Sequence, residues 1–550
     1  MPAVSLNRKT LEILVGKKLS DDDLKKNVPA LGASLEKLDK LTVDIEVPPN
    51  RPDFLSEQGF ARALSSFLGV AKGLKKYSVK SSHQKVIVDS SVKGIRPFTA
   101  CAVVKGIKFD DEKIKEIIQI QEKLHTTFGR KRKKAAIGVY PLEKIKFPIT
   151  YFAEDPKKVK FRPLESDREM TGLDVLSKHP TGREYAHLVE GLDKFAFFKD
   201  STGAILSMPP IINSHDVGKI SESTVDVFVE CSGFDFDVLK KCLNMIVAAL
   251  ADMGGEIYSI ELDYGSKKEL TPDLSHDEMK IDYVYVNRIL GTDLSHKEID
   301  SCLEHMGFGV KDGMALIPAY RADVLHQIDL VEDVAIAHGY DNFKPLIPRM
   351  STIGKESGLE KFKNRVAGVL VGLGLLEVET FNLTSEAKQC SLMEFKADVV
   401  RLHNALNKEY DVLRYWLIPS MIEVLQTNLS REYPHNLFGI GDVFKYSDSE
   451  DTGVVEQERL AVALCSDEAD FTKIKQILDF LMRMLDLKYE IRDVEHSSFI
   501  SGRVGRVSVN GKDVAYIGEI SPEVLSNFSL EMPVSVFELN LSELYALMQK

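Results

Sequence analysis

The run Arg321-Ala-Asp-Val-Leu-His-Gln-Ile-Asp-Leu-Val-Glu-Asp-Val-Ala-Ile-Ala-His-Gly-Tyr340 constrains the fold of this chain more than any other stretch. Its spacing predicts a helix that begins behind Asp323, whose carboxylate can cap free backbone N–H groups, and that stops at Gly339. Val324, Ile328, Val331 and Ala335 share one arc at 3.6 residues per turn, and Asp329, Glu332 and Asp333 share the neighbouring arc. Carboxylates at i, i+3 and i+4 repel one another, and no Lys or Arg lies between Val324 and Tyr340 to offset them. Two readings stay open. One is a solvated acidic face with Asp323 as an ordinary N-cap. The other is a hard cation such as Mg²⁺, which takes oxygen ligands and keeps several waters.

At 550 residues the chain exceeds what one hydrophobic core supports, and three to five domains are expected. Apolar residues make up 44%, with no uninterrupted run long enough to span a bilayer, so no membrane partner is expected. The opening Met-Pro-Ala-Val-Ser-Leu-Asn-Arg-Lys has no apolar core before its first charges, which predicts a cytosolic protein. Six cysteines (Cys101, Cys231, Cys242, Cys302, Cys390, Cys465) occur without a C-x-x-C pair, which argues against a zinc ribbon and a disulfide framework. The net charge of −12 leaves RNA contact to local basic patches. Arg130-Lys-Arg-Lys-Lys134 is one such patch, readable as a solvated loop or as a phosphate-binding segment.

Along the chain, strands are expected at Ala3 to Leu6 and Leu41 to Val47, with helices at Arg8 to Val15 and Asp21 to Leu31. After Pro48-Pro-Asn-Arg-Pro52, Asp53 is placed to cap a helix running through Glu57 to Leu68. Strands at Lys85 to Val88, Ala100 to Val104 and Val225 to Glu230 mix with helices at Asp111 to Phe128 and Asp237 to Met253. Gly218-Lys-Ile-Ser221 is not a phosphate loop, since positions 213 and 220 hold Asn213 and Ile220. Lys280 to Leu290 reads as a strand running into a short helix. Ser295-His-Lys-Glu298 is a capping box with Leu294 and Ile299 as its hydrophobic staple, Gly307 closes that helix, and Asp312-Gly313 marks a hairpin. This order predicts a winged-helix-like unit. Beyond it come a helix (Leu359 to Leu373), a strand (Glu377 to Asn382), a helix (Ile418 to Leu429), strands (Asn436 to Tyr446, Glu456 to Cys465), a helix (Phe471 to Met484) and further strands.

Several stretches resemble the phenylalanyl-tRNA synthetase beta-subunit family, archaeal and eukaryotic type. "AYRADVLHQIDLVEDVAIAHGYDNF" is similar to the end of its B5 domain, and "EVPPNRPDFLSEQGFARAL" to its N-terminal domain. "LHTTFGRKRKKAAIGVY", "HPTGREYAHL" and "LSMPPIINSHDVGKISESTVDVFVECSG" resemble its B3/B4 editing module, while Val412 to Met421 and "SGRVGRVSVNGKDVAYIGEISPEVL" resemble its B6/B7 domains. The resemblance implies an α+β multidomain chain: an N-terminal B1-like domain (1–84), a B3/B4-like editing domain (85–268), a winged-helix-like B5 domain (269–346) and a non-catalytic class II synthetase-like antiparallel core (347–550). An active class II core needs arginines that grip ATP phosphates. The motif 2-like strand Leu437 to Phe444 has none, and no G-x-G-x-x-R strand follows, so no adenylation site is expected here.

The family further implies an alpha-subunit partner in an α2β2 tetramer, with tRNA(Phe), ATP and phenylalanine handled through the complex. It implies Mg²⁺ at Asp323, Asp329, Glu332 and Asp333, and an editing pocket that removes tyrosine from tRNA(Phe). Asn213, Thr224, Asp226 and Glu230 are carried over as that pocket's lining, and Arg130, Lys131 and Arg132 as its tRNA contacts. The rival readings are a non-catalytic RNA-binding or scaffold protein derived from a synthetase and an independent synthetase, which the missing arginines oppose.

Overall fold

The computed structural model of the chain describes residues 2–348 and 352–549. Two compact units are present, 1–347 and 348–550. No helix among the described residues is long and apolar enough to cross a membrane.

The first unit begins with a strand (Ala3–Asn7) and helices Arg8–Val15 and Asp21–Ala30, backed by a sheet in which Thr42–Glu46 lies between Ala3–Asn7 and Ser34–Leu38. Asp53 does not cap the next helix. It sits in a 3-10 turn (Pro52–Phe54), bound in both arms by Arg51, and Ser56 caps Glu57–Phe67 by accepting from Gly59 N–H. A short hydroxyl at the position directly before the helix reaches the third turn N–H, whereas Asp53 lies too far upstream.

Among the described residues, the middle of this unit is a ten-stranded mixed sheet. Val79–Val88 lies beside Ile149–Glu154 and Glu256–Asp263, both parallel to it. Phe98–Lys105, Val227–Gly233 and Ala135–Pro141 follow as antiparallel neighbours. The strand expected at Val225 to Glu230 thus starts two residues later and ends three residues later. Helix Asp111–Thr126 packs on Ala135–Pro141, and the buried helix Phe236–Asp252 packs on Phe98–Lys105 and Val227–Gly233. Strand alternation puts Ala135, Ile137, Val139, Val227 and Val229 on the face packed against these helices, and Gly138, Tyr140 and Glu230 on the opposite face.

The module from Asp277 to Asn342 carries a three-stranded sheet, Asp277–Lys280, Met314–Ile317 and Gly309–Lys311 in spatial order, with helices Tyr283–Leu290, His296–His305 and Gln327–His338. The Ser295–Glu298 capping box is present, and Asp312 and Gly313 both hold positive φ, as a tight two-residue hairpin turn demands. The last helix starts later than expected: His326 is its N-cap, its ring accepts from Ile328 N–H, and Asp329 accepts from Leu325 and His326 N–H. Val324 therefore precedes the helix, and Ile328 is exposed, while Leu330, Val331, Val334 and Ala335 face the core.

The second unit is a seven-stranded sheet among its described residues, antiparallel apart from the edge pair Leu376–Glu377 and His435–Tyr446. Gly358–Gly372, Phe471–Met484 and Leu541–Met548 cover one face, and Ile418–Thr427 lies on the other. The strand expected at Glu377 to Asn382 is reduced to Leu376–Glu377, followed by the separate pair Leu383–Thr384 with Val412–Leu413. Arginines near this sheet are engaged by protein groups. Arg414 Nε donates to the Asp442 carbonyl (2.6 Å) and Nη1 to Thr380 Oγ1 (2.9 Å). Arg459 Nη1 donates to Glu538 Oε1 (2.9 Å), whose other oxygen accepts from Leu417 and Ile418 N–H.

Candidate functional site

In the first unit, a cavity of about 510 Å³ lies between helix Asp111–Thr126, strand Ala135–Pro141 and the segment Pro209–Asn213. Apolar walls come from Ile114, Ile118, Ile137 and Val139. At its floor is Glu230, 2% exposed, whose Oε1 accepts from the Tyr140 hydroxyl at 3.1 Å and whose Oε2 has no partner. Burial pushes this carboxyl up to about 8, although the Tyr140 hydrogen bond and the charge of Arg96 both pull it down. Near neutral pH the group is therefore mostly a carboxylic acid, able to donate as well as accept. The Tyr140 hydroxyl is also 3.3 Å from Asn213 Oδ1. Across the ladder Glu230 pairs with Gly138, and a Cβ at 138 would collide with the Tyr140 hydroxyl, so this glycine makes room for the phenol.

The cationic wall of the cavity is built by a strained loop. Arg130, Lys131 and Arg132 all hold positive φ, at 49°, 52° and 66°, a conformation that costs about 1–2 kcal/mol for each L-residue. It turns Arg132 inward: Nη1 donates to the Ile211 carbonyl (2.8 Å), Nη2 to Glu122 (3.0 Å), and the guanidinium lies 4.2 Å over the Tyr185 ring. Arg130 and Lys131 stay exposed. His125 is buried, and its Nε2 accepts from Ile137 N–H at 2.8 Å, which leaves the ring proton on Nδ1, facing Glu122. Burial lowers its pKa, so it is a neutral structural imidazole near pH 7. His215 also lines the cavity, with a buried Nδ1 that has no partner.

Of the four residues expected to line an editing pocket, Asn213 and Glu230 meet here. Thr224 and Asp226 do not. Thr224 is buried in a tight turn where Oγ1 accepts from Ser221 N–H, and Asp226 accepts from Gly106 N–H. Of the three expected tRNA contacts, Arg132 belongs to the pocket wall. Tyr140, His125 and His215 were missed on sequence grounds. Tyr140 sits in the quoted run ending "AAIGVY", where the strand's alternation with Gly138 would have put both residues on the face of Glu230.

The four acidic residues of the opening run separate into two pairs. Arg321, 3% exposed, grips Asp323 in both arms (2.8 and 2.7 Å) and reaches Asp333 at 2.7 Å. Asp329 caps the helix, and Glu332 is exposed with no partner among the described residues. The unneutralised face expected from the sequence is corrected at Asp333 alone, whose cation Arg321 stands just upstream of the window, while Asp329 and Glu332 have no cationic partner among the described residues. As a single four-carboxylate shell these residues do not fit a cation, and among the described residues no three His, Cys, Asp or Glu side chains form a metal-ligand group. Asp329 and Glu332 do line one apolar groove with Ile289, Ile328 and Tyr340.

Comparison with known proteins gives a consistent result. Residues 344–541 match the family model "Phenylalanyl tRNA synthetase beta chain CLM domain", and 279–340 match "tRNA synthetase B5 domain". The chain is 40% identical over 555 residues to a phenylalanine–tRNA ligase beta subunit of Pyrococcus abyssi, covering 99% of this chain and 100% of that one. It is likewise 40% identical to one of Archaeoglobus fulgidus, over 99% of each. A crystal structure of an N-terminal fragment of the phenylalanyl-tRNA synthetase beta subunit from Pyrococcus horikoshii aligns with a TM-score of 0.59 at 37% identity, covering 61% of this chain and 99% of the fragment.

Proposed function

Since the chain belongs to the phenylalanine–tRNA ligase beta subunits, we propose that its central cavity is the site where tyrosine misattached to tRNA(Phe) is hydrolysed. The chain is a subunit of an aminoacyl-tRNA synthetase, a ligase of protein biosynthesis, and a mixed α/β multidomain protein with a B5 domain. An alpha subunit and tRNA are its partners. Our reading adds the editing role, an α2β2 assembly and a second unit that supports adenylation in the alpha subunit without performing it.

One observation carries the editing reading: Glu230 is buried at the floor of a mostly apolar cavity, already holding one phenol, that of Tyr140, while Oε2 is left unpaired, and burial raises its pKa toward the neutral acid. A pocket for a phenyl ring rejects an added hydroxyl poorly, whereas a site built to bond that hydroxyl rejects the ring lacking it. The two sieves complement each other. Arg132, pinned by Ile211 and Glu122, supplies a fixed positive charge in the wall, and the exposed Arg130 and Lys131 are free for RNA phosphates. The test is hydrolysis of pre-formed Tyr-tRNA(Phe) and Phe-tRNA(Phe) by the assembled enzyme. Glu230→Gln, which mimics the neutral acid, should keep the preference for the tyrosyl ester, Glu230→Ala should erase it, and Asp226→Ala should leave it unchanged. Equal hydrolysis of both esters by the unaltered complex would exclude editing here.

For the partner, the groove of about 430 Å³ bounded by Ile289, Ile328, Tyr340, Asp329 and Glu332 supports docking of an apolar segment that brings a cation or a basic group. Mg²⁺ needs only one or two carboxylates beside its waters, so Asp329 and Glu332 would hold it and neutralise their charge at the contact. Light scattering of the reconstituted complex with and without Mg²⁺ checks both stoichiometry and metal dependence. The partner-free chain should give no phenylalanine-dependent ATP–pyrophosphate exchange, since Arg414 and Arg459 are already bound to protein groups.

A further inference from the structure

A second cavity, of about 260 Å³, lies where the N-terminal helix Glu57–Phe67, the loop after it and the module from Asp277 onward meet. Its wall carries Arg51, Arg62, Lys72, Lys75 and Arg321, against one carboxylate, Asp53. The guanidinium groups are not free to turn away. Arg51 is forked onto Asp53 (2.9 and 2.8 Å), and Arg321 onto Asp323 with a further bond to Asp333. Arg62 Nη1 donates to Asp252 at 2.6 Å, and its guanidinium lies 4.0 Å over the Tyr320 ring. Asp252, Asp323 and Asp333 are outside the cavity wall.

These bonds leave donors unused. Arg321 Nη1 and Arg62 Nε are buried and have no hydrogen-bond partner, and the side chains that carry them are 3% and 9% exposed. A buried N–H without a partner is costly, and a charged one more so. Lys72, at the rim, forms no ion pair among the described residues. The unpartnered donors come from three separate segments of chain, Arg62, Lys72 and Arg321, while Lys75 is paired with Asp252 at 2.7 Å. A carboxylate, with two oxygens in one plane, meets few of them together. A tetrahedral phosphoryl group offers oxygens in several directions, and guanidinium and ammonium groups are its usual partners.

We propose that this cavity is a phosphoryl-anion site, whose ligand ties the N-terminal module to the Asp277–Asn342 module through Arg62, Lys72 and Arg321. The ligand is either a free phosphate or a single backbone phosphate of an RNA, since both present the same oxygens. Calorimetric titration of the full chain with sodium phosphate, against sodium chloride at matched ionic strength, reads the site directly. One saturable phosphate per chain is expected, with a rise of a few degrees in the thermal midpoint, because ligand that binds only the folded state stabilises it. Lys72→Ala, which removes the unpaired cation at the exposed rim, should weaken binding about tenfold. Arg62→Lys, which keeps the charge on Asp252 but removes Nε, should weaken it too. Lys72→Ala should melt like the unaltered chain in chloride, which separates loss of binding from loss of fold, whereas Arg62→Lys should melt somewhat lower. Absence of saturable binding, or equal affinity in both variants, would overturn the proposal. Competition with a short single-stranded RNA then assigns the source. Displacement of phosphate supports a backbone phosphate, and undisturbed binding supports a free anion.

Discussion

Glu230 keeps a proton in the folded chain at pH values where the unfolded chain has already lost it, because burial raises its pKa from 4.5 to about 8. Between those values the folded state binds more protons, so stability is greatest at the acid end and falls as pH rises through the window. Glu57, whose burial pushes it up to about 7 with help from Glu116, adds to the same slope. The thermal midpoint should therefore decline from pH 5 to pH 8, and Glu230→Gln should flatten that decline, gaining on the order of 3 kcal/mol above pH 8. Melts of both proteins across pH 5 to 9 check this, and parallel curves would count against it. Asp333 behaves in the opposite sense to what its acidic neighbours imply. Its removal leaves Arg321, buried and bonded to it at 2.7 Å, short of one counter-charge, so Asp333→Ala should destabilise the partner-free chain by about 3–5 kcal/mol. Chemical denaturation would read that loss, and a gain in stability would restore the repulsion picture.

Helix Gln327–His338 shows what was legible at the level of elements. Its end was readable, since the helix stops at Gly339, whose φ of 88° suits glycine although its ψ of 121° is not that of a left-handed helical stop, but its start was not. Asp323 has the right side chain for a cap, and only the fold reveals that Arg321 claims it and leaves capping to His326 and Asp329. Asp53 repeats the pattern, claimed by Arg51 with Ser56 as the actual cap. In both cases an Arg-x-Asp fork competes with the helix terminus for the same carboxylate. Asp329→Ala should accordingly cost about 1 kcal/mol and fray the first turn, measurable as faster amide exchange at Leu325 and His326. Helices with periodic apolar faces, such as Arg8–Val15 and Phe471–Met484, were legible to the residue. Buried strands were less so: Ala135–Pro141 is buried along its whole length and shows no alternation of polar and apolar residues to mark it. Tyr140, in that unmarked run, stayed hidden as a site residue, whereas Glu230 came from the family resemblance together with Asp226, four residues before it.

On the scale of the whole molecule, the first unit has its own sheets and core clusters, and a chain ending after Ile347 should fold by itself. Circular dichroism of such a fragment should show a cooperative melt, and a fragment without one would mean that the second unit completes its core. The position of Val79–Val88 within that unit bears on how it is made. Its two ladder partners, Ile149–Glu154 and Glu256–Asp263, both come later in the chain, the second about 170 residues after it. At roughly 5–20 residues per second of synthesis, this strand leaves the ribosome and waits on the order of 10–30 s with an edge unpaired. The cavity that holds Glu230 shares this sheet, so during translation it forms only in the last third of the first unit's synthesis. Nascent chains arrested before residue 256 should be cut readily by protease within 79–88, and those arrested well beyond residue 263 should resist.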